Sequence, residues 1–455
     1  MDSNVEKAEG PDRTQTPDNT FLPIQGQGAP LTRTKSATSN ALARVSSRLT
    51  TRSITNPGPP PDGGLRAWVQ VFCAWLAVTN TWGFVNSFGA FQTYYASILP
   101  EPNSTISWIG STQACLLFVV GIFSGRAFDA GWFRPTVLLG IFVQILGIFA
   151  MSAAKNYWQL LLTQGICTGI GGGIFFMPVM SLVATYFAKR RGLAVGLVTV
   201  GNSVGGMIYP TVVRQLLPQV GFGWTVRVLG FINVVCLTVV IAFTKPRLPP
   251  RKSGPLWDKD SLKDIPYILF VLGICCLMPA IYFVFYYVAS FARDELGMPY
   301  TQSLNLVIIL NGVGLPFRIL PGFVGDRYLG PLNTFSLCTF FASVILFCWL
   351  GVTSIPTYYT FISFYGIFAA AFQSLFTTAI MALSHDITKT GTRLGMAMTV
   401  IGFSALVGGP LSGAILKASD YTTTICWAGA SSFMGWGLCT AARICKHGWV
   451  VRKKC

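Results

Sequence analysis

Residues 266–292 read PYILFVLGICCLMPAIYFVFYYVASFA, and none of these side chains is charged. Apolar residues do not alternate with polar ones, as they would in a half-exposed strand, but cover all sides of the stretch over a helical length. A helix of about 20 apolar residues crosses the roughly 30 Å hydrocarbon core of a bilayer. The stretch is therefore predicted to be a membrane-spanning helix, because a helix satisfies its own backbone hydrogen bonds in lipid.

Similar stretches precede and follow this one. The 455 residues are 52% hydrophobic and only 11% charged, a balance that excludes a soluble multidomain protein. The sequence predicts twelve transmembrane helices with approximate limits 66–94, 106–128, 135–153, 158–187, 192–217, 224–243, 266–292, 301–324, 331–352, 357–384, 394–416 and 422–442. The predicted fold class is an all-α integral membrane protein with two pseudo-symmetric bundles of six helices.

Polar segments divide the chain into five predicted parts. These are a disordered cytoplasmic tail at 1–61, an N-terminal six-helix bundle at 62–243, a cytoplasmic linker at 244–265, a C-terminal six-helix bundle at 266–443 and a cytoplasmic tail at 444–455. Lys and Arg concentrate in the tails, the linker and alternate loops, which places that side in the cytoplasm. The same asymmetry accounts for the net charge of +17, so no nucleic-acid partner is expected.

Two loop patterns recur about 200 residues apart. Gly125 and Asp129 follow the second predicted helix in the pattern G-x-x-x-D, and Gly322 with Asp326 repeat it after the eighth. One copy alone is better explained as a tight loop with solvated charges, whereas two copies at equivalent places indicate parallel repeats with a latch. We interpret eight charged residues of these and neighbouring loops as gating residues: Arg126, Asp129, Arg134, Lys189, Arg190, Arg191, Asp326 and Arg327.

Two further motifs resemble family signatures. Pro61-Asp62-Gly63-Gly64 with Trp68 stands before the first predicted helix, and YFAKRRGLAVG covers residues 186–196. Both are similar to signatures of the monocarboxylate-porter family of the major facilitator superfamily, in its fungal form, and the resemblance covers about residues 59–443. It implies a two-bundle transporter that works by alternating access, usually on small organic acids with protons.

The sequence departs from that family at charged positions. Animal members place a Lys in helix 1 and an Asp one turn before an Arg in helix 8, and here the matching positions are Asn86 and Gly314, while Arg318 remains. No Asp or Glu lies well inside a predicted span, so a buried carboxylate relay for protons is not expected. Coupling through the proton of the substrate, through a loop acid such as Asp129 or Asp326, or no coupling at all stay open.

Polar side chains inside the spans are the candidate binding residues. Arg318 either snorkels to the cytoplasmic side and braces the Asp326 loop, or binds an anion. The others form a predicted neutral polar-aromatic pocket, although a hydrogen bond between helices explains each one better when taken alone. The predicted substrate-binding set is Arg318, Asn86, Asn311, Tyr282, Tyr286 and Gln373.

The leading functional hypothesis is a secondary-active or facilitative carrier, since no Walker motif is present. Loss of the charged pair favours export of an organic acid or larger secondary metabolite over proton-coupled monocarboxylate import. A non-transporting solute sensor is the alternative from another class, and an enzyme is not expected. The predicted partners are a small organic solute, with or without protons, and the bilayer, and we expect a monomer.

Targeting and modification complete the predictions. Both termini are expected in the cytoplasm and the protein in the plasma membrane, with the vacuolar membrane as the alternative. Asn103-Ser104-Thr105 matches a glycosylation acceptor in the first outer loop. The scattered cysteines support neither a disulfide framework nor a metal site, and no cofactor is predicted.

Overall fold

The computed structural model describes residues 60–188, 190–250, 258–384 and 390–448, without the side chains of Arg191, Asp326 and Thr390. All regular elements in these residues are helical. The first six are α1 (Leu65–Asn86), α2 (Phe88–Ile98), α3 (Asn103–Asp129), α4 (Phe133–Met151), α5 (Tyr157–Tyr186) and α6 (Arg191–Phe243). The remainder are α7 (Ile265–Asp294), α8 (Tyr300–Gly314), α9 (Leu320–Val324), α10 (Pro331–Cys348), α11 (Ile355–Leu383), α12 (Thr390–Ala418) and α13 (Tyr421–His447). The predicted tails and linker lie partly outside the described residues.

Many of these helices are long enough to cross a membrane. Among the described residues, eight helices are long and apolar enough to cross a bilayer, or nine if α8 and the bent segment after it count as one. Helix α6 has 53 residues and would extend about 80 Å if straight, far more than one bilayer core. It is bent at Gly221, whose φ of 72° is a left-handed conformation that favours glycine. The all-α membrane fold is confirmed, and the count of twelve spans stays a prediction.

Two predicted spans are interrupted within the membrane region. The first predicted span, 66–94, is divided at Ser87 into α1 and α2. The eighth, 301–324, bends by 50° after Gly314. Pro316 and Pro321 lack the backbone N–H that a continuous helix needs, which explains a break here. Hydropathy predicted the apolar length correctly but not the bends.

The helices of the first and second parts of the chain pack against each other reciprocally. Helix α3 lies along α12, α6 lies along α8, and α2 contacts α7. In the predicted numbering, the second helix of each half thus contacts the fifth helix of the other half. Throughout, the inner end of the bundle is the end where α3 ends and α12 begins, and the outer end is where α3 begins and α7 ends.

A dense aromatic cluster anchors the second part of the chain near its outer end. Trp349 is 1% exposed and its ring centre lies 5.2 Å from that of Phe291, 5.0 Å from that of Phe361 and 5.2 Å from that of Phe283. Such ring pairs add to the free energy gained from burial alone. The cluster fixes α7, α10 and α11 relative to one another, and α7 and α11 carry the cavity residues described next.

Candidate functional site

A cavity of about 520 Å³ lies between the helices of the two parts of the chain. Its wall reaches the inner end at Asp129 in α3, at Pro246 after α6 and at Gly391 in α12. Towards the outer end its wall stops near Asn86 and Tyr282. Most other lining side chains are apolar, and aromatic rings and methionines are the largest groups among them. The cavity therefore opens towards one end of the bundle.

Three amides meet in the deepest part of the cavity. The side-chain oxygen of Gln373 accepts hydrogen bonds from Asn202 Nδ2 at 2.9 Å and from Asn86 Nδ2 at 3.3 Å. Asn86 Nδ2 also lies 2.7 Å from the Asn202 oxygen. The three residues come from α1, α6 and α11, so the cluster joins the first and second parts of the chain.

Arg318 completes this polar cluster. Its Nε donates to Ser203 Oγ at 2.6 Å and its Nη2 donates to Gln373 Oε1 at 2.8 Å, although the side chain is only 3% exposed. If the Asn202 amide is rotated by 180°, its oxygen accepts from Arg318 Nη2 and Nη1 at 3.1 and 3.2 Å, and its nitrogen no longer donates to Gln373. None of the ion pairs among the described side chains includes Arg318. A buried cation with neutral partners is a site where an anion would bind favourably.

The local fold explains why Arg318 faces the cavity. It lies in the short turn Pro316–Arg318 at the bend after α8, which directs its side chain towards α6 and α11 and not along the helix axis to the inner surface. One turn earlier, a Cβ at Gly314 would lie 2.6 Å from Ala370 Cβ. Animal members of the monocarboxylate-porter family have an Asp at this position. An Asp side chain would fit here only if α8 and α11 moved apart.

Close helix contact also positions the amides. A Cβ on Gly83 in α1 would lie 2.5 Å from the Cα of Gly205 in α6, so the two backbones touch. This approach, permitted by glycine, brings Asn86 and Asn202 on neighbouring turns within hydrogen-bond distance.

Four of the six predicted binding residues line the cavity, namely Asn86, Tyr282, Arg318 and Gln373. Two do not. Asn311 packs against Gly206, and its Nδ2 donates to Val307 O of its own helix at 2.9 Å. Tyr286 is fully buried against Phe88, with ring centres 4.7 Å apart. The prediction that these two contact the solute is therefore not supported by their placement, since both side chains face neighbouring helices.

The outer end is closed by contacts between the two parts of the chain. Ser107 Oγ in α3 lies 2.7 Å from the Tyr287 hydroxyl in α7, and Arg293 Nη1 donates to Thr93 O at 3.3 Å. A Cβ at Gly89 in α2 would overlap the backbone oxygen of Phe285 in α7. The bundle is thus sealed on the outer side of the amide cluster while its cavity reaches the inner end.

Comparison with known proteins identifies this architecture. The family model for the Major Facilitator Superfamily matches residues 68–384, more than half of the chain. The chain belongs to the major facilitator superfamily. It is a multi-pass membrane transporter of small organic solutes, and its one-sided cavity is one of the states expected for alternating access.

Its similarity to fungal members of the superfamily extends over most of the chain. An MFS-type transporter of Gibberella zeae is 42% identical over 396 residues, which cover 86% of this chain and 89% of the relative. The MFS-type transporter dbaD of Emericella nidulans is 38% identical over 370 residues, 81% and 82% of the two chains. The aspyridones efflux protein apdF of Emericella nidulans is 31% identical over 366 residues, 79% and 74% of the two chains.

At its inner end, this transporter holds the segment before α7 with ion pairs. Arg393 Nη1 lies 2.7 Å from Asp264 Oδ2, and Arg393 Nε lies 3.4 Å from Asp258 Oδ2. All three side chains are at most 11% exposed. In the first part of the transporter, Asp62 Oδ1 accepts a 2.5 Å hydrogen bond from Ala188 N. In both cases an Asp just before the first helix of a predicted half is bound to residues at or near the start of that half's fifth helix.

The predicted gating residues are distributed around the inner end. Asp129 lines the mouth of the cavity, and Arg126 lies on the same last turn of α3. Arg134 and Arg190 are exposed. Arg327 is also exposed, with its guanidinium 5.8 Å from the Phe323 ring centre. Lys189 and the side chains of Arg191 and Asp326 lie outside the described residues.

The predicted glycosylation site is the first residue of α3. Asn103 is half-buried, and its backbone oxygen accepts hydrogen bonds from Ser107 Oγ at 2.8 Å and from Tyr287 OH at 3.3 Å. The site therefore lies directly beside the outer contacts of the transporter. Its glycosylation stays a prediction.

Several cavity residues were not among the predicted binding residues. Asn202 was expected from the sequence to line the cavity but was not in the predicted substrate-binding set. It is central to the amide cluster, and its neighbour Ser203 binds Arg318. Phe118 and Phe176 line the cavity, but nothing in the sequence distinguishes them from most of the other phenylalanines. Arg393 follows Arg191 at the repeat distance of about 200 residues, but its partners Asp258 and Asp264 belong to no sequence motif that predicts the ion pairs.

Proposed function

We propose that this transporter exports a drug-sized, amphipathic organic acid, and that the one-sided cavity is its binding site. The observation that carries the proposal is the size and lining of the cavity, about 520 Å³ with mainly apolar side chains that include many aromatic rings and methionines. Pockets of about 300–1,000 Å³ with apolar walls and a few placed polar groups are typical for drug-sized ligands. A three-carbon acid such as lactate would leave most of this space to water.

The polar cluster provides the binding site for the acidic group. Arg318 is buried, and its described partners are the neutral side chains of Ser203 and Gln373. An anionic oxygen of the solute would replace or supplement these acceptors with a charge-assisted hydrogen bond, which is stronger than a neutral one. Asn86 and Asn202 offer further amide groups at the same place.

Two observations together support export as the direction of transport. The cavity reaches the inner end, which the distribution of Lys and Arg assigns to the cytoplasm, so a cytoplasmic solute has access to it. The printed name of one relative, the aspyridones efflux protein apdF, describes an exporter. Export through the plasma membrane, with both termini in the cytoplasm, is therefore the favoured direction.

The proposal includes the predicted halves and their gates. Residues 62–243 and 266–443 form the two moving bundles, and the reciprocal packing of α3 on α12 and of α6 on α8 supports this division. Arg126, Asp129, Arg134 and Arg327 act at the inner gate. The transporter works as a monomer, and membership of the monocarboxylate-porter family is supported by the two signature motifs alone.

Proton-coupled import of a small monocarboxylate is the second candidate. The buried guanidinium of Arg318 favours it, since a lone carboxylate would satisfy that cation equally well. The two candidate functions differ in the size of the transported solute and in whether transport depends on protons.

A flux panel in vesicles tests the proposal. Labelled lactate, pyruvate, aromatic acids and riboflavin-sized solutes are offered to vesicles that contain the purified protein, with and without a pH gradient, beside protein-free vesicles. We expect flux of a larger acid out of the compartment that faces the inner end. Flux confined to lactate or pyruvate and driven by the pH gradient would refute export of a drug-sized acid and establish the second candidate.

A further inference from the structure

A continuous row of five aromatic rings crosses the wall of the cavity. Trp82 is central, with its ring centre 6.0 Å from that of Phe176 and 4.8 Å from that of Phe118. Phe118 continues the row to Phe376 at 6.4 Å, and Phe376 stacks on Phe372 at 6.0 Å. All five residues line the cavity. The row runs from α5 through α1 and α3 to α11, and so from the first part of the chain to the second.

The aromatic row adjoins the polar cluster. Trp82 precedes Asn86 by four residues on α1, and Phe372 and Phe376 flank Gln373 on α11, so each of these helices contributes both rings and amides to the cavity. A solute with its acidic group at Arg318 would have its apolar body beside the rings. The aromatic row and the polar cluster are therefore about one helical turn apart along α1.

Methionine side chains also line the cavity wall. Met177, Met180, Met278, Met381 and Met398 all face the cavity, five of the 11 methionines in the chain. Met side chains are unbranched and polarizable, adapt to irregular shapes and make favourable contacts with aromatic rings. Such a wall would accept ring systems of different outline.

We propose that the solute carries a planar conjugated ring system, which binds against the aromatic row while its acidic group binds at Arg318. The inference rests on the proposed export function and names the substrate class of the same site. Flat rings gain offset-stacked and edge-to-face contacts with Trp82, Phe118 and Phe376 that a saturated skeleton of equal size cannot make. Recognition is therefore for aromatic character and not for apolar volume alone.

The position of the Phe118–Phe376 pair gives the ring system a second role. This pair is the longest contact of the row and joins α3 to α11. Because the two helices belong to different predicted halves, movement of the halves changes this contact first. A ring bound here contacts both halves at once and favours the arrangement in which they close around it.

Matched acids test the proposal without knowledge of the natural solute. Labelled 2-naphthoate and its saturated counterpart decahydro-2-naphthoate share a skeleton and a carboxylate. Binding of each to the purified full-length protein in detergent is measured by equilibrium dialysis. We expect naphthoate to bind at least tenfold more tightly. Equal affinity of the two acids, or binding of neither, overturns the proposal in the wild-type protein itself.

Variants locate the selectivity. Phe118→Leu and Phe376→Leu, made singly, remove aromatic character at the contact between the halves and should each lower the affinity ratio at least threefold. The matched control is Phe231→Leu, which changes a ring paired with Phe149 at 5.3 Å on an exposed face outside the cavity and should leave the ratio unchanged. A ratio that survives both cavity substitutions overturns the proposal.

Failure of the proposed function gives a different result. Tight, ring-selective binding without flux of any acid in vesicles would refute export and leave the ring inference standing. Flux of large acids without a preference for naphthoate would support export and overturn the ring inference.

Discussion

At the outer end of this transporter, the two parts of the chain are joined by hydrogen bonds to neutral acceptors and by one close glycine contact. The hydrogen bonds link Ser107 with Tyr287, and Arg293 with the Thr93 carbonyl. The close contact is between Gly89 and Phe285. At the inner end, the ion pairs of Arg393 bind the segment before α7 onto α12, and the cavity extends to the helix ends.

The contrast fits the different tasks of the two ends. A hydrogen bond between neutral groups contributes a net stabilisation of only about 0.5–1.5 kcal/mol, and one from a charged donor such as Arg293 about 1.5–3 kcal/mol, because water replaces the partner when the bond breaks. A gate built from such bonds can open in each transport cycle. Breaking a buried ion pair costs about 3–5 kcal/mol, so the attachment of Asp258 and Asp264 to Arg393 persists while the halves move.

The largest effect is expected for Gly89→Ala. The new methyl group would overlap the backbone oxygen of Phe285, an atom that cannot move without α7. Overpacking of this kind costs about 3 kcal/mol, which shifts the balance between outer-closed and outer-open states about 150-fold towards opening. The measurement is the rate at which an impermeant thiol reagent, applied from the outer side, labels a cysteine introduced at Thr199 in the cavity wall.

A glycine with free space around it provides the control for that experiment. No atom lies within 4 Å of a Cβ built on Gly437 in α13, so Gly437→Ala should label like the parent protein. Unchanged outer labelling of Gly89→Ala, with flux at the parent level, would show that the α2–α7 contact is not part of the outer gate.

The next largest effect concerns the cavity that lies between the two ends. Arg318→Ala removes a cation that supplies charge-assisted hydrogen bonds, each of about 1.5–3 kcal/mol. We expect an aromatic acid to bind about 30-fold more weakly, while its methyl ester, which has no charge, changes less than about threefold. Equilibrium dialysis with the acid and ester measures both values.

Arg227→Ala is the matched control, because Arg227 lies over the Trp224 ring at 4.8 Å and does not line the cavity. An equal loss of acid and ester affinity in Arg318→Ala would assign this residue a structural role. An equal loss of acid affinity in the two variants would show that general positive charge, and not the cavity site, attracts the acid.

Hydropathy predicted the helices well where a single span crosses between two polar loops. The predicted stretch 266–292 corresponds to α7, Ile265–Asp294, within two residues at each end. Between 217 and 224 a loop was expected, whereas α6 remains helical to the bend at Gly221. Hydropathy reports contact with lipid, and a helix can continue beyond the lipid when its next turns satisfy their own hydrogen bonds.

The site was predictable only in part. Asn86, Arg318 and Gln373 were recognised because polar groups are costly within a membrane and need a partner. Asn311 has the same sequence signal, yet it faces Gly206. In a helix that is apolar on all sides, the sequence does not show which side faces the cavity. For the same reason Phe118 and Phe176 could not be distinguished from rings that face lipid.

A smaller effect is expected when one charge of the inner end is removed. Asp264→Asn keeps the shape of the side chain that Arg393 Nη1 contacts at 2.7 Å, but removes its charge. Loss of this charge should lower the free energy of unfolding by about 1.5 kcal/mol, less than for a fully broken pair because Arg393 keeps Asp258 as a partner, and the decrease is seen as a lower midpoint of thermal unfolding in detergent. Glu295→Gln is the control, since Glu295 is exposed and forms none of the ion pairs among the described side chains, so its charge contributes less than about 0.5 kcal/mol. An equal decrease in both variants would contradict the proposed difference between the ends.

The smallest effect is expected for Tyr287→Phe at the outer end. The substitution removes the hydroxyl that lies 2.7 Å from Ser107 Oγ, while Ser107 keeps its hydrogen bond from Gln92 at 2.8 Å. The bond to Ser107 and the longer 3.3 Å bond from the Tyr287 hydroxyl to Asn103 O are both lost in the outer-closed state only. Together these neutral bonds contribute about 1 kcal/mol, so outer labelling of the cysteine at 199 should rise about fivefold. Tyr358→Phe removes a similar bond, to Val288 O at 2.9 Å, but both residues lie in the second part of the chain. It should leave labelling unchanged, because that bond is present whether the halves are open or closed. Equal labelling in the two tyrosine variants would mean that the Tyr287 hydroxyl does not help to hold the outer end closed.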